Sequence, residues 1–309
     1  MVLRLGLGLW LFLGSLWGGW WLHRGGLLTE ARASRLVRWL TVGPSPVVLC
    51  LLFWQMHLRS PEPWLLPLLG ALVSSSTLLP AFAYTRRAQL SAPQTGSFLT
   101  CAFFSNLGYL GAFTAFALFG ETGYGLCMLY LVFFTPCFYT LGFWIASRYG
   151  QRAHGSTLGA AYEEGLRLYP FIGMLAGLAL NLARVPRPVP LEWLNQALIP
   201  VNTVLYLAAI GSQLAFDSPL PWLRPCLVMS GIKFLSTPLV AWGLLQLFHI
   251  RGLPRTIVLL QASTPVAVSP LVLPLLFGLD RKLSNALFLW TTLLAIPWFL
   301  LIIPVLQRL

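Results

Sequence analysis

Ten stretches of this chain stay apolar for about the thickness of a lipid bilayer. They run roughly over 4–22, 36–57, 64–84, 98–119, 124–147, 158–182, 191–215, 222–248, 256–278 and 284–306. A helix needs about 20 mainly apolar residues to cross the hydrocarbon core, whereas membrane β-strands alternate polar and apolar residues over segments of about ten. These runs do not alternate, so the expected fold is an all-α integral membrane protein with about ten transmembrane helices. Composition agrees: only 9% of the 309 residues are charged and mean hydropathy is +0.77, against about 25% charged in a soluble domain. The first run ends in Trp20-Trp21 and lacks a small-x-small cleavage site. It reads as a retained helix and not as a signal peptide.

The net charge of +12 is spread between spans and never forms the basic cluster that nucleic acid requires. No nucleic-acid partner is expected. Arginine and lysine placement instead reports topology. With the N-terminus outside the cell, the cytoplasmic loops hold twelve basic residues, among them Arg24, Arg32, Arg35, Arg38, Arg86, Arg87 and Lys282, and the external side holds seven. This predicts a multi-pass protein of the cell membrane with an extracytoplasmic N-terminus. The five cysteines lie in apolar segments without CxxC spacing, which suits packing. No HExxH, GxSxG or Walker A pattern occurs, and His23, His57, His154 and His249 sit near span ends. Neither an enzyme nor a metal or cofactor protein is expected.

An internal repeat organises the spans. Ser60-Pro61-Glu62-Pro63-Trp64-Leu65-Leu66-Pro67-Leu68-Leu69 matches Ser218-Pro219-Leu220-Pro221-Trp222-Leu223-Arg224-Pro225-Cys226-Leu227 at seven of ten positions, at an offset of 158. The same offset carries Pro80 onto Pro238, Gln55 onto Gln213 and Phe119-Gly120 onto Phe277-Gly278. At 159 the pair Gly14 and Gly18 falls on Gly173 and Gly177, a spacing that lets helices approach closely. Each copy, 1–150 and 151–309, thus holds five spans. An odd number means the second copy is inverted, the layout of inverted-repeat secondary transporters. The polar stretch 148–157 is the linker.

Such transporters bind substrate where two discontinuous helices meet near the midplane. The fourth span contains Ser105-Asn106 followed by Gly108 and Gly111. The ninth contains Ser263-Thr264 followed by Pro265 and Pro270. The two sets are in register, so both spans are expected to break there and cross. Ser105, Asn106, Ser263 and Thr264 are candidate hydrogen-bonding residues. Gly43-Pro44-Ser45-Pro46 in the second span and Pro200-Val201-Asn202-Thr203 in the seventh are further expected interruptions, with Ser45 and Asn202 as candidate contacts. Lys233 lies mid-span in the eighth. An ionisable group there is costly and points to function, either as positive charge for a substrate or as a tether for a broken helix. All eight acids fall in loops or near span ends. Carboxylate-based coupling to sodium or protons is therefore not expected.

The runs Asn106-Leu107-Gly108-Tyr109-Leu110-Gly111, Ala117 to Gly123, Ile232-Lys233-Phe234-Leu235-Ser236-Thr237-Pro238 and Ser263 to Pro270 resemble the auxin efflux carrier family. The resemblance covers essentially the whole chain and is specific in spans four, eight and nine. It implies ten helices in two inverted five-helix repeats with broken, crossing helices four and nine. It also implies transport of organic anions such as auxin, malonate and other carboxylates, with substrate near Asn106, Ser45 and the Pro265 region. The short linker is similar to that of compact bacterial-type members. Ala112 stands where the family often has proline, and Ser74-Ser75-Ser76-Thr77 where plant carriers place an acid. The expected function is that of a secondary transporter or uniporter, a permease for a small organic anion. An ion-coupled symporter of the bile-acid type and a non-transporting receptor are the alternatives. The expected partners are the bilayer, the anion and, in a homodimer, a second copy of the chain.

Overall fold

The computed structural model describes residues 2–56, 58, 61–151, 157–214 and 220–306. His57, Arg59, Ser60, Arg152, His154, Asp217, Ser218, Pro219, Arg308 and most of the linker lie outside the described residues, as do the side chains of Arg4, Glu163, Glu164 and Arg167. The protein is all-helical: helix accounts for 85% of it, and the described residues form no strand. Among them, six helical stretches are long and apolar enough to cross a membrane: Glu30–Gln55, Glu62–Arg87, Leu107–Tyr149, Val189–Gly211, Leu220–Leu247 and Arg281–Pro304. The third has 43 residues, about twice a single span, and Gly120 interrupts it with φ of 61° and ψ of −153°. Large apolar side chains face outward, Leu79 at 80% exposure and Trp193 at 73%. Bilayer hydrocarbon, not water, is the solvent such a surface suits.

Two compact units divide the chain. The first draws on Met1–Ser60, Phe113–Gly125 and Ser156–Leu214, the second on Pro61–Ala112, Leu126–Gly155 and Ala215–Leu309.

In the first unit, Val2–Arg24 packs against Val189–Gly211, and Thr157–Leu182 against Pro44–Gln55. Glycines permit both contacts. A Cβ on Gly19 would collide with the Ala208 backbone, and one on Gly177 with the Cys50 backbone. These two contacts are related by the offset of 158, with the partners exchanged. Gly14 and Gly18, which the sequence pattern singles out, have nothing within 4 Å of a built Cβ. Position 19 is the one in true register with 177.

The second span breaks as expected. Glu30–Val42 and Pro44–Gln55 are separate helices joined at Gly43, whose φ of −96° and ψ of −86° are not helical. Pro44 and Pro46 supply no N–H, and a proline disfavours the α conformation in the residue before it. The seventh span does not break: Val189–Gly211 runs continuously through Pro200. A lone proline with no neighbouring glycine removes one hydrogen bond, and the surrounding helix tolerates it.

In the second unit, both copies of the proline-tryptophan motif end in a short 3₁₀ turn, Glu62–Leu65 and Leu220–Trp222. Each leads into an α-helix that loses regularity at the same depth. Leu66–Ser76 stops at Thr77 before resuming as Leu78–Arg87, and Leu223–Gly231 passes through a π-turn, Ile232–Ser236, into Thr237–Leu247. Pro80 and Pro238 sit just beyond these points and withdraw the N–H groups that would bond the carbonyls of residues 76 and 234. The fourth and ninth spans are broken outright. Ala92–Phe103 gives way to non-helical backbone at 104–106, extended at Phe104, before a π-turn, Leu107–Gly111, restarts the helix. Gly252–Ala262 is likewise separated from the 3₁₀ turn Ser269–Leu271 and the helix Leu273–Phe277.

Candidate functional site

The two breaks of the second unit meet. Ser105 and Val266 form an isolated antiparallel bridge. Asn106 N donates to Pro265 O at 2.8 Å, and Ala267 N donates to Phe104 O at 2.9 Å. Val266 N donates to Thr291 Oγ1 at 3.2 Å. Each of these groups would cost several kcal/mol if left unpaired away from water. Irregular backbone therefore persists here because one break satisfies the other.

The side chains finish the freed helix ends. Ser263 Oγ donates to Leu259 O at 2.8 Å and Thr264 Oγ1 to Gln261 O at 2.7 Å, covering the last carbonyls of Gly252–Ala262. Asn106 Oδ1 accepts from Leu110 N at 3.2 Å, capping the restarted helix. That bond fixes which way the amide points. Asn106 Nδ2 is left as a buried donor with no partner among the described residues. Gln261 Nε2 donates to Leu107 O at 3.2 Å, and Gly111 leaves the space its amide fills.

Lys233 is fully buried. Its Nζ donates to Ala102 O at 2.6 Å and to Ser105 Oγ at 2.7 Å. The ammonium thus sits at the C-terminal end of Ala92–Phe103, where the helix dipole favours positive charge. Neither ion pair found among the described residues involves it. Lys233 ties down the break of the fourth span, and the backbone bridge joins that break to the ninth.

Ser105, Asn106, Lys233, Ser263, Thr264, Gly108, Gly111, Pro265 and Pro270 all belong to the second unit. Pro270 opens the turn that restarts the ninth span, and Gly108 meets only Leu131 Cδ2, at 3.8 Å from a built Cβ. Ser45 and Asn202 come together in the first unit, where Asn202 Nδ2 donates to Ser45 Oγ at 3.2 Å and Asn202 Oδ1 is buried without a partner among the described residues.

A family model described as membrane transport protein matches residues 158–303, a stretch that contains Lys233, Asn202 and the whole ninth span. An uncharacterized transporter of Methanothermobacter thermautotrophicus is 25% identical over 235 residues, 75% of each chain. Another, from Methanocaldococcus jannaschii, is 28% identical over 215 residues, 66% of each chain. The matching family and both relatives are membrane transporters, the class that the resemblance to auxin efflux carriers implies.

The chain carries a second polar cluster that sequence reasoning missed. In the first unit Arg187 Nη1 donates to Glu121 Oε2 at 2.8 Å and to Leu51 O at 2.9 Å, and Asn195 Nδ2 donates to the same carboxylate oxygen at 3.0 Å. The Arg187 side chain is 3% exposed and that of Glu121 14%. Glu192 Oε2 lies 4.0 Å from Arg187 Nη2. The residues are far apart in sequence and belong to no local pattern. Their one signal was an acid, Glu121, directly after the conformationally unusual Gly120.

Proposed function

We propose that the chain is a secondary transporter or uniporter that moves a small organic anion, such as a carboxylate, by alternating access and without chemical change to its cargo. The observation that carries this reading is the meeting of the two broken spans at Ser105 and Val266. Half-helix termini and a lone buried cation converge there, and such termini attract ions of opposite sign to their dipoles. Asn106, whose Nδ2 is free to donate, and the Ser105 hydroxyl, which accepts from Lys233 and keeps its own proton, would hydrogen-bond the carboxylate, while Ser263 and Thr264, whose protons go to helix-end carbonyls, would hold the break in shape. Lys233 would supply positive potential at the crossing while tethering the break of the fourth span. Ser45 and Asn202 form a separate polar pair within the first unit.

The same reading has ten helices in two inverted repeats, 1–150 and 151–309, in the cell membrane with the N-terminus outside. The exchange-related contacts Gly19–Ala208 and Gly177–Cys50 support it, as do the matched irregularities before Pro80 and Pro238. Transport independent of a sodium or proton gradient is expected, because no carboxylate among the described residues pairs with the cation at the crossing.

Uptake of radiolabelled mono- and dicarboxylates into proteoliposomes tests the proposal. Flux that needs no imposed ion gradient and falls at least tenfold in Asn106→Ala supports it. Binding of carboxylates without flux would make the chain a receptor, and strict sodium dependence would make it a symporter.

A further inference from the structure

The arginines at one end of the first unit line the start of a helix long enough to cross a membrane. Arg32, Arg35 and Arg38 are exposed along one stripe of Glu30–Val42, beside the exposed Trp39. Arg24 lies next to them in the chain, at the end of Val2–Arg24, with its guanidinium 4.1 Å over the Trp20 ring. Trp17 and Trp21 on the same helix are also exposed, as residues of a membrane-interface belt are. Glu30 is the one acid in the stretch 24–42.

Helix length sets the depth once the far end of the stretch, Gln55, is taken as the opposite boundary. Counting back from it at about 1.5 Å per residue, a hydrocarbon core of about 30 Å ends near Arg35. Arg38 then falls about 4–5 Å inside it. The bend at Gly43 shortens the projected length and moves the arginines deeper still. Helical side chains lean toward the N-terminus, which here is the nearby interface, so Arg38 and Arg35 reach for the headgroup layer with their stems in hydrocarbon. A guanidinium at that level is drawn to the phosphate oxygens of lipid headgroups, which it binds in bidentate fashion.

We propose that Arg32, Arg35 and Arg38, with Arg24 held on Trp20, form a binding surface for the headgroup of an anionic phospholipid. The occupant is a lipid of the leaflet at this end of the protein, and the stripe recognises its phosphate and net negative charge together.

The full-length protein in nanodiscs of phosphatidylcholine, with and without phosphatidylglycerol, provides the test. Native mass spectrometry should show retained phosphatidylglycerol in preference to phosphatidylcholine, and thermal unfolding should shift upward with it. The triple variant R32Q/R35Q/R38Q should lose this preference by roughly fivefold per arginine, on the order of a hundredfold in all. Arg251→Gln, remote in sequence, should keep it. If the triple variant inserts poorly, Arg38→Gln alone should show the single fivefold loss. Equal retention of the two lipids would overturn the proposal, and so would a preference undiminished in these variants. Stabilisation by inorganic phosphate as strong as by phosphatidylglycerol would overturn the assignment to a lipid.

Discussion

The Glu121–Arg187 pair offers a measurement whose size can be worked from geometry. The Arg187 side chain is buried at 3% exposure and that of Glu121 largely so at 14%, and one 2.8 Å hydrogen bond joins their charges. Removing one partner of such a pair strands the other and costs about 3–5 kcal/mol. Glu121→Gln should lie near about 3 kcal/mol, because the Gln oxygen still accepts from Arg187 and Asn195, and Glu192 offers partial compensation from 4.0 Å. Arg187→Met should approach about 5 kcal/mol, because it strands a carboxylate and also leaves Leu51 O without its donor. The double variant carries neither buried charge. It should cost about 2–4 kcal/mol, well below the sum of the singles, since replacing a whole buried pair by neutral groups is far milder than halving it. The assay is reversible denaturation of the purified protein in mixed micelles, followed by tryptophan fluorescence, for the wild type and the three variants. A cycle that closes additively to within about 0.5 kcal/mol would refute the claim that the two charges depend on each other.

Three further outcomes follow from the packing and the crossing. Gly19→Leu and Gly177→Leu should each abolish monodisperse, folded protein in size-exclusion chromatography, whereas Gly14→Leu, built into open space, should elute as the wild type does. Lys233→Met strands Ala102 O and Ser105 Oγ, so it should lower both the unfolding midpoint and anion flux. Unchanged flux in a stably inserted protein would reject any part for the ammonium in transport. Asn106→Ala removes the cap on Leu110 N and should destabilise by about 1 kcal/mol in the same denaturation assay.

The positions of the helix breaks were legible because their causes are local. Pro44 and Pro46 follow a glycine, Pro265 follows two hydroxyl residues, and Ser105-Asn106 precedes two glycines. Each removes or competes for helical hydrogen bonds within a single turn. Pro200 shows the limit of that logic: the same residue type without a neighbouring glycine stays in a continuous helix. Glycine spacing gave the correct helices but the wrong residue in the first of them, because an offset of one rotates a glycine away from its partner by about 100°. What pairs across the chain left no local trace. Lys233 was visible as a buried charge, but that it holds Ala102 O depended on a contact spanning 131 positions. Thr291 and Gln261, which complete the crossing, look like ordinary small and polar residues in apolar spans.

The offset of 158 separates two kinds of interaction. Backbone packing obeys it: Gly19 on Ala208 and Gly177 on Cys50 are one contact expressed twice, and both copies loosen before a proline at 80 and 238. Charge does not obey it. Lys233 falls on Ser75, and Glu121, Arg187 and Asn195 fall on Leu279, Thr29 and Val37. In the alternating-access reading proposed above, a repeated scaffold carrying unrepeated charges would give two conformations with similar packing energies and different electrostatic ones. The population of the two states would then be set by a handful of polar residues and not by the many apolar ones. On this argument the direction in which such a carrier rests is tuned at positions 121, 187, 195 and 233. Substitutions there should shift the resting state, while neutral changes at lipid-facing positions such as Leu79 and Trp193 should leave it where it is.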